Sequence, residues 1–351
     1  MHATCRAVLT MLGLLATTGA PLTSRADART IKRASVRLRS PVPIEPATQR
    51  VLDLMEAANL PPLFSGTPEE ARASYRQVSL TGVDPAQLPQ LASIHDTSIP
   101  GPHGDIPIRI YDRGGSGPRP TIVFFHGGGW MIGDLDTHDK ITRRLAADVD
   151  AVVVAVDYKL APEFPFPYAF EECYAATLHV LRNPAAFGGS QQVAVAGDSS
   201  GGNLAAAVAL AARDAGLELA AQLLVYPGTD QVNRYPSFEE NADGRLDTDG
   251  IEIALRAYAQ GADKHDPRLS PMLAANHSGL APAIVAVAGY DPLRDDGLAY
   301  ATKLSEAGVP VIVQRAEGLI HGFYGMYLVS PGAEIAVARM HADLRSILSA
   351  S

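Results

Sequence analysis

Cysteine is nearly absent from this chain: Cys5 and Cys173 are the only two in 351 residues, and neither sits in a C-x-x-C pair or a Cys/His cluster. That excludes a disulfide framework and a cysteine-based zinc site. There is no cationic excess either. With 29 Lys and Arg against 38 Asp and Glu, the formal net charge is −9, which argues against nucleic acid or an anionic membrane surface as a partner. Aromatic residues make up 6% of the chain, with one tryptophan, so nothing suggests a large exposed apolar lid suited to an oil interface. Long hydrophobic runs are missing too. The apolar run at residues 7–20 follows Arg6 and ends at Pro21, too short to span a bilayer. Followed by Ala26-Asp27-Ala28, it reads as a signal peptide over residues 1–28, which implies an exported protein, periplasmic or secreted; without such a signal the protein would be cytoplasmic. Neither G-x-G-x-x-G nor a Walker lysine occurs, so no nucleotide cradle is expected.

What the chain does have is apolar material, 47% of its residues against 19% charged, enough for a large α/β domain. Residues 29–45, rich in Arg, Ser and Pro, suit a linker or extended arm. From Pro46 the spacing of Val51, Leu52, Leu54, Met55 and Ala58 is helical, and Thr67-Pro68-Glu69-Glu70 is a helix start with its own capping glutamate. Alternating segments at 94–99 and 106–111 around Pro-Gly-Pro-His-Gly-Asp predict an antiparallel hairpin. Short apolar runs at 121–125, 151–156, 193–196, 222–226, 283–288 and 311–314 then alternate with helical stretches. This pattern predicts a mostly parallel central sheet covered by helices on both faces. One connection, between Tyr226 and Ala283, is too long for a simple crossover. We read residues of about 46–83 and about 230–272 as a helical cap over the site, the rest of 46–351 forming the core domain.

The chemistry is concentrated in a few loops. Gly197-Asp198-Ser199-Ser200-Gly201-Gly202-Asn203 lies between a strand-like run and a helix former, the setting of a nucleophile elbow in which glycines permit the tight turn that lifts a serine hydroxyl above the sheet. Ser199 is the expected nucleophile. The adjacent Ser200 is the rival, but as the next residue it would give its backbone N–H to an oxyanion hole, its side chain being incidental. His126-Gly127-Gly128-Gly129-Trp130 follows another strand. Backbone N–H groups of two of Gly127, Gly128 and Gly129 are expected to join that of Ser200 in the oxyanion hole, with His126 bracing the loop. A serine nucleophile needs a base and a group that fixes the base's tautomer. Among ten histidines, His321 follows a strand in the glycine-flanked loop 317–323, whereas His341 reads as a surface position on the last helix and His265 and His277 as solvated. Asp291, directly after the run 283–288, is the expected carboxylate; Asp295 and Asp296 read as first-turn acids favoured by a helix dipole. The order Ser, Asp, His fits an α/β-hydrolase and not the chymotrypsin or subtilisin arrangement, despite the trypsin-like look of GDSSGG.

With HGGGW, DYKLAPE (157–163), GDSSGGN, DPLRDDG (291–297) and HGF (321–323) in register, the chain from about Pro46 onward resembles the hormone-sensitive-lipase family of bacterial esterases, family IV. The resemblance implies a capped α/β-hydrolase fold and hydrolysis of short to medium acyl esters of small molecules without metal or cofactor. It also implies triad roles for Ser199, Asp291 and His321 and a supporting role for residues 158–163 beside the oxyanion loop. Ser200 stands where the family commonly has alanine. The same residues leave room for an amidase or deacetylase, and for a non-catalytic small-molecule receptor on the same fold. A homodimer is open as well.

Overall fold

The computed structural model describes residues 42–242 and 246–350; the expected signal peptide and most of the expected arm lie outside them. Among the described residues two helices come first, α1 (Pro46–Ala57) and α2 (Pro68–Leu80). Thr67 and Glu70 close the capping box at the start of α2, with the Thr67 N–H donating to Glu70 Oε2 at 2.8 Å and the Glu70 N–H to Thr67 Oγ1 at 3.3 Å. The chain then runs β1 (Ser93–Gly101), β2 (Gly104–Asp112), β3 (Arg119–Phe125), α3 (Asp139–Val149), β4 (Val152–Val156), α4 (Tyr168–Arg182) and β5 (Gly189–Asp198). It continues through α5 (Ser200–Asp214), β6 (Ala221–Val225), α6 (Pro236–Glu240), α7 (Thr248–Ala259), β7 (Ala283–Tyr290), α8 (Arg294–Glu306), β8 (Val311–Ile320) and α9 (Pro331–Ala350).

One eight-stranded sheet has the order β1-β2-β4-β3-β5-β6-β7-β8. The hairpin β1–β2 and the pair β2–β4 are antiparallel, and every pairing from β4 onward is parallel. Alternation along each strand feeds two separate cores. On β4, Val152, Val154 and Val156 face one core, while Val153 and Ala155 face the other. The first core takes Phe170, Cys173, Ala176 and Val180 of α4 together with α5; the second takes Ile141, Leu145 and Val149 of α3 and Val337, Met340 and Leu344 of α9. Both faces are thereby covered, which is why the buried strands read as continuous apolar runs.

The parallel strands carry their loops to one edge, so the residues that directly follow β5, β7 and β8 (Ser199, Asp291 and His321) converge there. One expectation fails in detail. Residues 317–320 are not loop: β8 extends through them to Ile320, pairing Tyr290 with Ile320 after a register shift past Ala288. Residues 42–45, the end of the expected arm, are docked on the fold. The Glu45 N–H donates to Gly318 O at 2.8 Å, the Glu45 carboxylate receives Ser330 Oγ and the Gly332 N–H, and Tyr290 donates its hydroxyl to Val42 O. Polar side chains here recruit the segment, which no apolar periodicity could announce. Among the described residues no helix is long and apolar enough to cross a membrane.

Candidate active site

Ser199 stands between β5 and α5 at φ 55°, ψ −120°, a left-handed backbone conformation that a non-glycine residue adopts only when its surroundings enforce it. The enforcement is steric. A Cβ on Gly197 would lie 2.2 Å from Gly201 O, and one on Gly201 would lie 2.0 Å from Phe125 O, so strand, turn and helix can meet only because both residues lack side chains. The turn lifts the serine hydroxyl toward His321, whose Nε2 lies 3.0 Å from Ser199 Oγ. On the other side of the ring, His321 Nδ1 is 2.8 Å from Asp291 Oδ2. Asp291 is fully buried, and its second oxygen accepts the Leu293 N–H at 2.8 Å, so the carboxylate cannot rotate away without losing a partner. Tyr226 packs its ring 4.5 Å from that of His321.

The glycine loop sits opposite. Of its three expected donors, Gly127 has its N–H engaged by Asp198 Oδ1 at 2.9 Å, which removes it from the set that could meet a substrate oxygen. Gly128 and Gly129, at φ 123° and 59°, hold conformations that favour glycine, and Ser200 begins α5, where backbone N–H groups and the helix dipole favour negative charge. A Cβ on Gly129 would lie 2.8 Å from Phe64 and from Ala254, so segments before β1 and after β6 both press on this loop. Trp130 stacks on Tyr258 of α7 at 4.6 Å, and Arg72 of α2 donates to Met131 O, Ala161 O and both oxygens of Glu163. Tyr158 donates its hydroxyl to His126 O at 2.7 Å and stacks on the His126 ring. Burial, reinforced by the nearby His138, pushes His126 down to about 4, so its ring stays neutral.

Several side chains play other parts than their sequence context suggests. The Ser200 hydroxyl is not incidental: it accepts the Trp130 N–H at 3.3 Å, tying the elbow to the glycine loop. His341 is fully buried, with Nε2 2.7 Å from Tyr324 Oη and Nδ1 2.9 Å from Asp148 Oδ2; the surface reading fails because this face of α9 packs on the sheet. His277 is buried against Pro271 O, whereas His265 is exposed as expected. Asp295 and Asp296 do lie in the first turn of α8, but buried: Asp296 accepts the Thr229 and Asp230 N–H groups, and Asp295 accepts the Ser237 N–H and pairs with Arg294. Sequence reasoning missed Asp198 and Tyr226. Asp198 was in view inside the elbow motif, but its partners lie far along the chain.

Comparison with known proteins gives the family. A family model described as the alpha/beta hydrolase fold matches residues 122–325. The chain is 46% identical to Esterase LipI of Mycobacterium tuberculosis over 261 residues, covering 72% of this chain and 82% of that protein. It is 40% identical to Carboxylesterase NlhH of the same organism, covering 88% and 97%. A hyperthermophilic esterase from the archaeon Pyrobaculum calidifontis superposes with a TM-score of 0.83 at 36% identity, covering 87% of this chain and 99% of that one. Sheet order, site geometry and these relatives together place the chain in the hormone-sensitive-lipase family of α/β-hydrolase esterases.

Proposed function

We propose that the protein is a serine carboxylesterase that hydrolyses short to medium chain acyl esters through an acyl-enzyme. The observation that carries this reading is the unbroken line from Ser199 Oγ through His321 to the buried Asp291, at 3.0 and 2.8 Å. In it, Ser199 attacks the ester carbonyl carbon while its proton passes to His321 Nε2, and Asp291 holds the ring in the tautomer that can accept it. The carbonyl oxygen, now an anion, takes the N–H groups of Gly128, Gly129 and Ser200, each donor contributing a factor on the order of 10²–10³ in rate. His321 returns the proton to the departing alcohol, the C–O bond breaks, and water repeats the sequence on the acyl-enzyme to release the acid and free Ser199.

Phe64 and Ala254 pressing on Gly129, with Trp130 stacked on Tyr258, support the reading of residues 46–83 and 230–272 as a cap that bounds the acyl chain. Hydrolysis of p-nitrophenyl acetate, butyrate, octanoate and palmitate, measured beside the matching anilides, tests the proposal. Turnover should be high from acetate to octanoate and fall steeply at palmitate. Anilide turnover matching that of the esters would make the protein an amidase, and no turnover with tight ligand binding would make it a receptor. Export through residues 1–28 belongs to the same proposal; cell fractionation with N-terminal sequencing of the mature protein should find the chain outside the cytoplasm and shortened, and a full-length cytoplasmic chain would refute it.

A further inference from the structure

The proposed reaction makes no use of Asp198, yet this carboxylate lies at the centre of the site's supporting layer. It is 6% exposed, directly precedes Ser199, and reaches three other parts of the fold. Its Oδ1 accepts the Gly127 N–H at 2.9 Å and lies 3.5 Å from His138 Nε2; its Oδ2 receives the Tyr226 hydroxyl at 3.5 Å. His138, at the start of α3, is itself buried, with Nδ1 3.0 Å from Thr137 Oγ1. Tyr226 in turn is the ring packed against His321. One side chain therefore touches the glycine loop and the platform under the base while its own backbone begins the elbow. The fit is tight, since a Cβ on Gly127 would lie 2.5 Å from Asp198 Oδ2.

We propose that Asp198, with His138 as its counter-group, is a positioning residue that holds the two halves of the oxyanion hole, the Gly128–Gly129 backbone and the Ser200 N–H, at a fixed separation. A buried carboxylate is costly unless donors face it; the Gly127 N–H, His138 Nε2 and the Tyr226 hydroxyl do so here, so the group resists rotation and the peptide planes after Gly127 inherit its rigidity. Burial by itself would push the Asp198 carboxyl up, but the charge and hydrogen bond of His138 and the Gly127 N–H outweigh it and leave the group below the ordinary carboxylate range. The group is therefore ionised at neutral pH.

The inference rests on the esterase reading, and the experiment separates the two. Asp198→Asn keeps an acceptor for the Gly127 N–H but removes the charge facing His138; Asp198→Ala removes both; His138→Gln removes the counter-group. Each is assayed for kcat and KM on p-nitrophenyl butyrate, and for affinity toward a trifluoromethyl ketone, whose hemiketal oxyanion needs the hole as the transition state does. We expect kcat to fall about tenfold in Asp198→Asn and His138→Gln and about 100-fold or more in Asp198→Ala, with KM within about threefold and ketone affinity falling in step with kcat/KM. Loss of kcat without loss of ketone affinity, or a rise in KM at constant kcat, would overturn the inference. If Asp198→Ala does not fold, the Asn and Gln variants decide by the same criterion. A wild type inactive on esters would sink the esterase reading alone. The positional claim would then be judged on a crystal structure of Asp198→Asn or Asp198→Ala, in which residues 127–129 should move away from the Ser200 N–H; an unmoved loop would refute it.

Discussion

Replacing Asp291 by asparagine changes one atom and should nearly abolish catalysis. The carboxylate is fully buried and has two engagements, Oδ1 on the Leu293 N–H and Oδ2 on His321 Nδ1, both at 2.8 Å. An amide has one oxygen to share between them. If that oxygen keeps the Leu293 N–H, the NH₂ group faces His321 and stabilises the tautomer with Nδ1 as acceptor and Nε2 protonated, which cannot take the Ser199 proton. If the amide turns over, its NH₂ confronts the Leu293 N–H inside a buried site, leaving a donor unsatisfied at a cost of about 1–3 kcal/mol. The imidazolium formed during attack also loses its counter-charge. The corresponding change in serine protease triads lowers kcat by about 10⁴, or roughly 5–6 kcal/mol, and the same arrangement of bonds sets the same expectation here. The assay is kcat and KM on p-nitrophenyl butyrate with thermal unfolding as a control. KM should stay within about threefold, because the substrate does not touch Asp291. A variant that is folded and keeps more than about a tenth of wild-type kcat would refute the role given to this carboxylate.

Three further outcomes follow from the geometry. Ser200→Ala keeps the backbone donor but deletes the hydroxyl that accepts the Trp130 N–H; we expect a loss of about 0.5–1.5 kcal/mol in stability by urea unfolding and a few-fold drop in kcat, and a 100-fold drop would point to Ser200 as the nucleophile. Gly201→Ala drives a methyl into Phe125 O, so the elbow must shift; kcat should fall at least 100-fold, and near-normal activity would show that the turn is not held as described. His126, held down to about 4 against an ordinary 6.5, gives the pH dependence. The unfolded chain takes up a proton near pH 6.5 that the folded one refuses until about pH 4, so this group's stabilisation is present above 6.5 and is lost as pH falls toward 4. The amplitude is on the order of 3 kcal/mol. Urea unfolding across that window should show a shallower pH slope in His126→Phe than in the wild type, and equal slopes would contradict the assignment.

What the sequence disclosed, it disclosed through local constraint. Gly197 and Gly201 announce a sharp turn because no other residue fits it, and each of Ser199, Asp291 and His321 directly follows a strand whose apolar run is continuous. The parallel sheet then needs only its strand ends on one edge to bring the three together. The failures share a different cause. His277 and His341 read as solvated because histidine is polar, but burial depends on which helix face meets the sheet, and their partners Pro271 O, Tyr324 and Asp148 are tertiary neighbours. Asp296 fits a helix dipole locally, yet it is pinned by Thr229 and Asp230 from the loop after β6, and burial raises its carboxyl to about 7. Gly127 looks the same as its two neighbours in sequence; only the fold shows that its N–H is committed to Asp198.

The nucleophile is the claim on which the remaining roles depend, and covalent labelling reads it out directly. A fluorophosphonate should acquire a covalent bond to a single residue, and peptide mapping of the modified wild-type protein should find it on Ser199, with Ser199→Ala taking up no label. Label on Ser200, or undiminished labelling of Ser199→Ala, would contradict the account.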